Sequence, residues 1–372
     1  MNSMRLNKLR DAMKAGGMDA VFVAGPKNVQ YVTGLKAMME GNVQPFNDPE
    51  YFAVVQKNRC DVLCDGRYFT EVSGHAGITA QLLKSPVTAK VIGEKVKDLL
   101  ASGSRTIGYE RDGLLYGDAT ALMGELKGVE WKPAEEILAG LRVRKTPDEI
   151  EKIRKAQAIT GQAFEHMVTT IRVGMSERDV AFEIDGYLRK HSEGNSFKPI
   201  IAFGETGCHP HYTPDANRKL QKGHMVLLDF GAVYDGYCGD MTRMLVMGKA
   251  DARQKEVYGL VLEAQERCLA GVRPGATCHQ LDSLCRDYFV SKGYGDAFMH
   301  GTGHGVGLAI HEDPRLKQTF QTVVEPGMVF SVEPGLYFAG WGGVRIEDLV
   351  AVTDDGYQNL TTTPKNLVEV AC

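Results

Sequence analysis

The segment "HGTGHGVGLAIHEDP", residues 300–314, contains three histidines and four glycines within its first twelve residues. It has few of the side chains that form a hydrophobic core, so packing alone does not account for it. Glycine permits backbone torsions and close approaches that other residues do not. His304 has a glycine on each side and can therefore be brought into a crowded centre. The segment predicts a polar site built around this histidine.

Two pairs of acidic residues enclose predicted hairpins, one pair on each side of this segment. Asp229 and Asp240 enclose "FGAVYDGYCG", in which the Asp-Gly pair at 235–236 is a strong hairpin-turn signal. Glu333 and Glu347 enclose "PGLYFAGWGGVRI" in the same way. Cross-strand or diagonal neighbours in a hairpin approach each other within several ångströms. Each hairpin therefore predicts two neighbouring carboxylates.

These carboxylates predict a metal site because buried acids need a counter-charge. Asp229 follows the apolar run "VLL" and Glu333 follows "VFSV", where strands should be buried, and burying an isolated carboxylate is costly. Arg345 can neutralise one carboxylate but not all four. Divalent cations remove the repulsion and use the oxygens as ligands, while His304 supplies a neutral nitrogen. Two Asp, one His and two Glu residues suit a binuclear site of divalent ions.

The carboxyl-terminal part of the chain contains a weak internal repeat. "IRVGMSERDV" from residue 171 resembles "VRPGATCHQL" from residue 272, and each leads on to a histidine, His211 or His311. Each half then has a Met-Val strand that ends in an acid, "GHMVLLDFG" and "PGMVFSVEPG". Matches in the same order favour two related halves.

The chain is predicted to fold as two domains, since its 372 residues exceed one ordinary domain. The first part alternates the helix patterns "LNKLRDAMKAGG" and "AKVIGEKVKDLLASG" with the strand patterns "AVFVAG", "YFAVVQ", "CDVLCDG" and "TIGYE". Thr146 and Pro147 then begin a long charged helix. We therefore predict an α/β domain at 1–144 and an α+β domain at 145–372.

Composition argues against several classes of protein. The net charge of −4 and the pI near 6.2 give no indication of nucleic acid or an anionic membrane surface as partner. No stretch approaches the ~20 apolar residues of a transmembrane helix, and the charged start lacks the apolar core of a secretory signal. The eight cysteines form neither a CxxC pattern nor a disulfide framework. We therefore expect reduced thiols and a cytoplasmic location.

The motifs resemble the signatures of the pita-bread metallopeptidases, the family of creatinase, aminopeptidase P and prolidase. "LLDFGAVYDGYCGDMTR", "HGTGHGVGLAIHEDP", "SVEPGLY" and "GGVRIED" match that family in order and spacing, and "YVTGL" and "CDGRYFTEV" are similar to its amino-terminal domain. The resemblance covers the whole chain. It implies a ribonuclease-H-like, creatinase-type amino-terminal domain and a pita-bread catalytic domain with a pseudo-two-fold internal repeat. Within the family the chain looks most like an Xaa-Pro peptidase.

The resemblance also assigns metal ligands. The residues that would hold two divalent ions, usually manganese with cobalt or zinc as substitutes, are Asp229, Asp240, His304, Glu333 and Glu347. Asp240 and Glu347 would bridge the ions. Glu333 would take a proton from the water that attacks the peptide carbonyl and return it to the leaving proline nitrogen.

Further matching residues would bind or position the substrate. His311 would bind substrate and steady the tetrahedral intermediate, and His211 would position substrate and transfer a proton. Tyr337 and Arg345 would support the carboxylates. His209 lies close to His211 in "CHPHYTPD", and either histidine could act. The preceding proline and the alignment with His311 favour His211.

The resemblance implies a peptide or dipeptide substrate with proline in second position, and a homodimer. The sequence does not distinguish dipeptidase activity from aminopeptidase activity. Segment 35–52, "LKAMMEGNVQPFNDPEYF", is longer than the matching loop of compact aminopeptidases. One alternative is a hydrolase or lyase of the same fold that acts on a small non-peptide zwitterion, as creatinase and ectoine hydrolase do. Another is a non-catalytic binding protein on this scaffold. The complete set of five ligands argues against a creatinase mechanism and against loss of catalysis.

Overall fold

The computed structural model describes residues 2–36 and 43–372 of the chain, with side chains from residue 4 onward. Residues 37–42, within the segment 35–52 noted above, lie outside the described residues. The chain divides into two compact units, Met1–Arg142 and Val143–Cys372. Within the described ranges, no helix is both long and apolar enough to span a bilayer.

The amino-terminal unit is a mixed sheet with helices. Its strands are β1 (Ala20–Val23), β2 (Phe52–Gln56), β3 (Cys60–Cys64), β4 (Thr79–Leu82), β5 (Thr106–Tyr109) and β6 (Glu130–Pro133). Their order is β4-β3-β2-β1-β5-β6, with β2 antiparallel to β1 and β3 and the other neighbours parallel. The helices are α1 (Asn2–Ala15), α2 (Pro26–Thr33), α3 (Phe69–Ser73), α4 (Ala89–Leu99), α5 (Tyr116–Glu125) and α6 (Glu135–Val143). The helix and strand patterns predicted for this region are confirmed.

The second unit contains two pairs of helices that follow the sequence repeat. They are α7 (Pro147–Thr170), α8 (Glu177–His191), α9 (Ala252–Gly271) and α10 (Cys278–Ser291). Each begins after a residue whose side chain accepts a hydrogen bond from the third helical N–H, namely Thr146, Ser176, Asp251 and Thr277. Such caps satisfy backbone donors that have no partner within the helix. The repeat therefore fixes equivalent helix starts in the two halves.

The strands of the second unit form two sheets, and each sheet extends into a two-stranded ribbon. The strands are β7 (Ile200–Phe203), β8 (Met225–Phe230), β9 (Val233–Tyr234), β10 (Tyr237–Cys238), β11 (Met241–Met247), β12 (Gly303–Gly305), β13 (Glu312–Leu316), β14 (Val329–Val332), β15 (Gly335–Phe338), β16 (Gly342–Arg345), β17 (Asp348–Val352), β18 (Tyr357–Asn359) and β19 (Val368–Val370). The sheets have the orders β19-β11-β8-β7 and β13-β12-β14-β17-β18, and the ribbons are β9–β10 and β15–β16. One hairpin of each half therefore runs from a sheet into a ribbon and back.

Alternation along β8 decides which way Asp229 faces. Val226 and Leu228 pack with α7 and α8, whereas Met225 and Leu227 pack with α9, α10 and the second sheet. Successive side chains of a strand point to opposite faces, so Asp229 lies on the same face as Met225 and Leu227. Its carboxylate therefore faces the second half of the unit.

Candidate metal centre

In the first hairpin, two aspartates lie where the sheet gives way to the ribbon. Asp229 pairs with Thr242 across the β8–β11 ladder, which makes Asp240 its diagonal neighbour. The turn at Asp235 and Gly236 has φ values of 48° and 78°, as the Asp-Gly signal predicted. The sequence predicted that the two aspartates are cross-strand or diagonal neighbours. This prediction is confirmed, and they are diagonal neighbours.

In the second hairpin, two glutamates lie at the equivalent point. The ladder of β14 and β17 ends at the pair Val332 and Asp348, and the β15–β16 ladder begins three positions beyond, at the pair Gly335 and Arg345. Glu333 and Glu347 lie between these ladders, next to each other across the hairpin. The two halves therefore contribute a pair of carboxylates each, diagonal neighbours in the first hairpin and directly opposite in the second.

The glycines around His304 are needed for close backbone approach. A side chain at Gly303 would place its Cβ 1.9 Å from the carbonyl oxygen of Ser331, and one at Gly305 would place it 2.2 Å from that of Asp313. Neither glycine has a positive φ, so the requirement is for space rather than for a left-handed backbone. Strand β12 is thus packed tightly between β13 and β14, and His304 is held at the carboxylates.

The imidazole of His304 lies among the carboxylate oxygens. Its Nε2 is 3.1 Å from Glu333 Oε1 and 3.6 Å from Asp240 Oδ2. One ligand atom each from Asp240, His304 and Glu347 all lie within 4.8 Å of one another. Nδ1 of His304 is 3.2 Å from the carbonyl oxygen of Gly305, and an N–H there leaves the Nε2 lone pair free for a cation.

The protein alone supplies too little positive charge for these acids. Burial, followed by the neighbouring carboxylates, raises the pKa of Asp240 and Glu347 well above the usual range, and burial raises the pKa of Asp229 although Arg345 opposes it. Asp229 Oδ1 and Glu347 Oε1 are buried, and neither has a hydrogen-bond donor among the residues that the structure describes. Unpartnered buried oxygens are costly, and divalent cations bound to them would remove the cost and the repulsion together. The residues therefore fit a divalent metal centre.

Glu333 differs from the other three acids in its electrostatic surroundings. Burial acts to raise its pKa, but in the metal-free protein the charge and hydrogen bond of His304, with the charges of His300 and Arg345, together outweigh burial and bring the pKa to about 2. The Ser331 hydroxyl also donates to Oε1 of Glu333, at 2.9 Å. The carboxylate of Glu333 is therefore held ionised and can accept a proton or a ligand.

Thr242 links the two hairpins beneath the carboxylates. Arg345 Nε donates to Thr242 Oγ1 at 2.9 Å, and the Thr242 hydroxyl donates to Glu347 Oε2 at 2.8 Å. The donated hydrogen bond occupies Oε2 and leaves Oε1 of Glu347 for a cation. Thr242 thus orients the Glu347 carboxylate.

Replacing Thr242 with valine, which has nearly the same shape, is expected to weaken metal affinity about 10- to 100-fold, because Glu347 loses the donor that orients it. Titration of the metal-free protein with manganese, followed by metal analysis, measures this affinity. Thr242→Ser should restore most of it, and Thr353→Val, at the turn between β17 and β18 and outside the cavity lining, serves as control. Undiminished affinity in Thr242→Val would contradict the orienting role.

A line of hydrogen bonds runs from Asp229 to the edge of the site. Arg345 Nη2 donates to Asp229 Oδ2, and Arg345 Nη1 donates to the Tyr337 hydroxyl at 2.8 Å. That hydroxyl lies 2.8 Å from His300 Nε2, whose Nδ1 faces the carbonyl oxygen of Gly301. Burial raises the pKa of Tyr337 to about 12, so the phenol stays neutral. Arg345 therefore contacts a carboxylate directly, and Tyr337 lies one hydrogen bond farther out.

A cavity of about 800 Å³ opens beside the carboxylates and is lined by His211 and His311 among others. The ring of His311 lies edge-on to that of His304, with centroids 4.3 Å apart and an angle of 71°. Burial, followed by the charges of His304 and Arg315, lowers the pKa of His311 to about 4. At neutral pH His311 therefore presents an uncharged imidazole.

The structure places His211 and His209 differently. The described lining of the cavity includes His211 and not His209, whose ring stacks with Tyr212 at a centroid distance of 6.1 Å. Arg345 Nη1 lies 3.4 Å from the carbonyl oxygen of Pro210 and donates to it, which ties this loop to the centre. This placement supports the preference for His211, whose role stays a proposal.

Several side chains at the site were not identified from the sequence. Gln157 of α7 bonds both the N–H and the carbonyl of Asp240, at 2.9 and 2.8 Å. Arg315 pairs with His304 in the β12–β13 register, and it lines the cavity together with Lys198 and Lys317. A strand in "HEDPRLK" would have put Arg315 and Lys317 on one face. Nothing in the sequence connects Gln157 with residue 240.

Comparison with known proteins assigns both units. Residues 151–354 match the model of metallopeptidase family M24, and residues 5–144 match that of the creatinase/prolidase N-terminal domain. The Xaa-Pro dipeptidase of Pyrococcus furiosus is 35% identical over 366 residues, which cover 98% of this chain and 99% of that protein.

Solved structures agree with this assignment. An Xaa-Pro dipeptidase from Bacillus anthracis superposes with a TM-score of 0.90 at 34% identity, covering 100% of both chains. An X-Pro aminopeptidase from Thermotoga maritima gives 0.84 at 30% identity, covering 95% of this chain and 98% of that one. The creatinase-type and pita-bread folds expected from the motifs are confirmed. The chain belongs to metallopeptidase family M24.

Proposed function

We propose that this protein hydrolyses the Xaa-Pro bond of dipeptides at a centre of two divalent ions. The observation that carries the proposal is the convergence of four carboxylates, three of them buried and one half-buried, and one imidazole on a cavity whose wall carries a cationic side chain. The similarity to named Xaa-Pro dipeptidases and an X-Pro aminopeptidase favours this reaction over hydrolysis of a small non-peptide zwitterion and over a binding protein.

The proposed ligands of the two ions are Asp229, Asp240, His304, Glu333 and Glu347. Asp240 and Glu347 are the proposed bridging residues. When bound, such ions polarise the peptide carbonyl and make a water nucleophilic near neutral pH. The unpartnered oxygens of Asp229 and Glu347 support this set.

The proposed roles of the chain's own groups follow from their positions. Glu333, held ionised, accepts the proton of the attacking water and passes it to the proline nitrogen as the peptide bond breaks. His311 presents a neutral N–H to the oxygen that becomes negative during attack. His211 positions the substrate from the opposite loop and transfers a proton. Arg345 and Tyr337 hold Asp229 in place.

Arg315 favours a dipeptidase over an aminopeptidase. It pairs with His304 across β12 and β13, so its guanidinium lies on the cavity wall beside the metal centre. Guanidinium groups bind carboxylates through paired hydrogen bonds. A dipeptide places its terminal carboxylate directly beyond the scissile bond, whereas a longer peptide places it farther away. Arg315 therefore matches the free carboxylate of a dipeptide.

Replacing Arg315 with leucine is expected to raise KM for Ala-Pro about 10- to 100-fold, because a charge-assisted hydrogen bond contributes about 1.5–3 kcal/mol. Steady-state kinetics with Ala-Pro and Ala-Pro-Ala measure the effect. Arg273→Leu, at an exposed position before α10, is the matched control. Similar KM values for the variant and the unaltered enzyme on Ala-Pro would remove Arg315 from carboxylate binding.

The proposed function is tested by metal analysis and hydrolysis together. Protein loaded with manganese, cobalt or zinc is incubated with Ala-Pro, Ala-Pro-Ala and creatine. Release of proline from Ala-Pro in the metal-loaded protein, with little turnover of the tripeptide, supports an Xaa-Pro dipeptidase. Turnover of creatine alone would favour the zwitterion hydrolase, and no turnover with no metal bound would favour a binding protein.

We also propose manganese as the native metal, a homodimer, a cytoplasmic location and domains at 1–144 and 145–372. Manganese and the dimer rest on the resemblance to the family. The eight free cysteines support a reducing compartment. The division of the chain after Arg142 and the family matches at 5–144 and 151–354 support the domain boundary.

A further inference from the structure

The cavity beside the metal centre has an uneven distribution of charge. Among the described residues that line it, the acids are the four carboxylates of the centre. Apart from Arg345, which pairs with Asp229, the cationic lining residues are Lys198, Arg315 and Lys317. No described carboxylate lies within 4.0 Å of a charged nitrogen of these three side chains. The cavity therefore carries cations that the protein does not neutralise by direct pairing.

Lys317 is directed into the cavity by its packing on the histidine-rich segment. A Cβ at Gly301 would lie 3.3 Å from Lys317 Cβ and 3.6 Å from Lys317 Cγ, so the stem of Lys317 rests on the bare backbone of Gly301. Lys317 lies just past the end of β13, two residues after Arg315, and both residues line the cavity.

Lys198 reaches the same cavity from a different element. It precedes β7 by two residues, and the first residue of β7, Ile200, pairs with Asp229 and also lines the cavity. Lysine keeps its ammonium in water while its stem lies along the protein surface. Lys198 and Lys317 therefore add two positive charges to the cavity from separate walls.

The charges of an ordinary Xaa-Pro dipeptide leave these two lysines unmatched. Its single carboxylate is assigned to Arg315 by the proposed function, on which this inference rests. A cavity with low-dielectric walls focuses the field of the remaining cations on whatever enters it. A substrate with one more negative charge is stabilised by that field, and one with one more positive charge is repelled.

We propose that Lys198 and Lys317 determine substrate specificity and make the site prefer dipeptides whose first residue is acidic, Asp-Pro and Glu-Pro. Glu-Pro and Gln-Pro have nearly the same shape and differ by one charge, so their comparison isolates the electrostatic effect. We expect kcat/KM at low ionic strength to be roughly tenfold higher for Glu-Pro than for Gln-Pro, with Lys-Pro the slowest of the three. The difference should shrink as salt is added.

The experiment measures kcat/KM for Glu-Pro divided by kcat/KM for Gln-Pro. The ratio is determined for the metal-loaded enzyme and for Lys198→Gln, Lys317→Gln and the double variant. The ratio should fall in each single variant and approach one in the double variant, and any general loss of activity cancels in it. Lys222→Gln, at an exposed turn outside the cavity lining, should keep the full ratio. A ratio of one or less in the unaltered enzyme, or a ratio that both lysine variants leave unchanged, would overturn the proposal.

Binding measurements separate this proposal from the proposed function. Calorimetry with the non-hydrolysable reduced-amide analogues of Glu-Pro and Gln-Pro gives the same comparison without turnover. Tighter binding of the Glu-Pro analogue, lost in the double variant, supports the charge preference even if no dipeptide is hydrolysed. Hydrolysis of Gln-Pro with no charge preference would overturn the preference and leave the peptidase proposal standing.

Discussion

Replacing Glu347 with glutamine is expected to lower kcat for Ala-Pro by about 10³-fold or more and to reduce bound metal well below that of the unaltered protein. Glu347 is 1% exposed, and its Oε1 has no hydrogen-bond donor among the described residues. Glutamine preserves the shape but removes the negative charge of the carboxylate proposed above as a bridging ligand. Proline release and metal analysis on the same preparation measure the two effects.

The Glu347→Gln variant is expected to keep its fold while it loses activity and bound metal. Burial, followed by the charges of Glu333 and Asp229, raises the pKa of Glu347 well above its unfolded value of about 4.3. In the metal-free protein the native state therefore binds this proton more tightly than the unfolded state does. The contribution of Glu347 to the free energy of unfolding is therefore greatest below its unfolded pKa. This contribution falls as the pH rises toward the folded pKa.

The variant has no such proton to lose, so its metal-free form should be at least as stable as the unaltered metal-free protein at neutral pH. Its melting temperature should also depend less on pH between about 5 and 8. Thermal melting of both metal-free proteins checks this. Full activity with full metal content in Glu347→Gln would remove Glu347 from the centre.

Replacing His311 with alanine is expected to lower kcat about 10²- to 10³-fold while leaving most of the metal bound, because one donor to the developing oxyanion is lost. The imidazole of His311 contacts the ring of His304 edge-on at 4.3 Å and lines the cavity. It is uncharged near neutral pH, since burial and the nearby cations lower its pKa to about 4. A neutral N–H donor can stabilise negative charge that appears only during the reaction.

Parallel measurement of kcat and metal content in His311→Ala distinguishes a substrate-binding residue from a ligand. His209→Ala is the matched histidine control, because His209 stacks with Tyr212 and is not part of the described cavity lining. Its kcat should stay within about twofold of the unaltered enzyme, as expected for a substitution away from the reacting groups. Equal losses of metal and activity in His311→Ala would instead make His311 a metal ligand.

The local structure of the second unit could be predicted from the sequence because its signals are local. The Asp235–Gly236 pair specified a two-residue turn, and the spacing of the acids about that turn specified neighbours. Thr146 specified a helix start because a hydroxyl at that position accepts a backbone N–H. Each of these inferences needed a dozen residues or fewer.

The glycines around His304 were partly explained by sequence. Their number indicated that the backbone there is unusual, and the structure shows that the requirement is contact distance. Gly303 and Gly305 leave room for carbonyl oxygens of the neighbouring strands. Which strands approach is set by the sheet order β13-β12-β14, and no pattern within the segment contains that order.

The sequence by itself determined the two hairpins, the pairing of acids within each and the set of residues suited to metal, because turn chemistry, alternation and helix capping act between near neighbours. Only the tertiary structure decided how the pairs combine. Thr242 meets Glu347 across 105 positions, Arg345 meets Asp229 across 116 and Gln157 meets Asp240 across 83. The cluster of cations Lys198, Arg315 and Lys317 likewise forms only because the segments around β7 and β13 line one cavity. Packing of the two sheets and their helices brings these residues together, and that packing is the sum of many contacts rather than of any one motif.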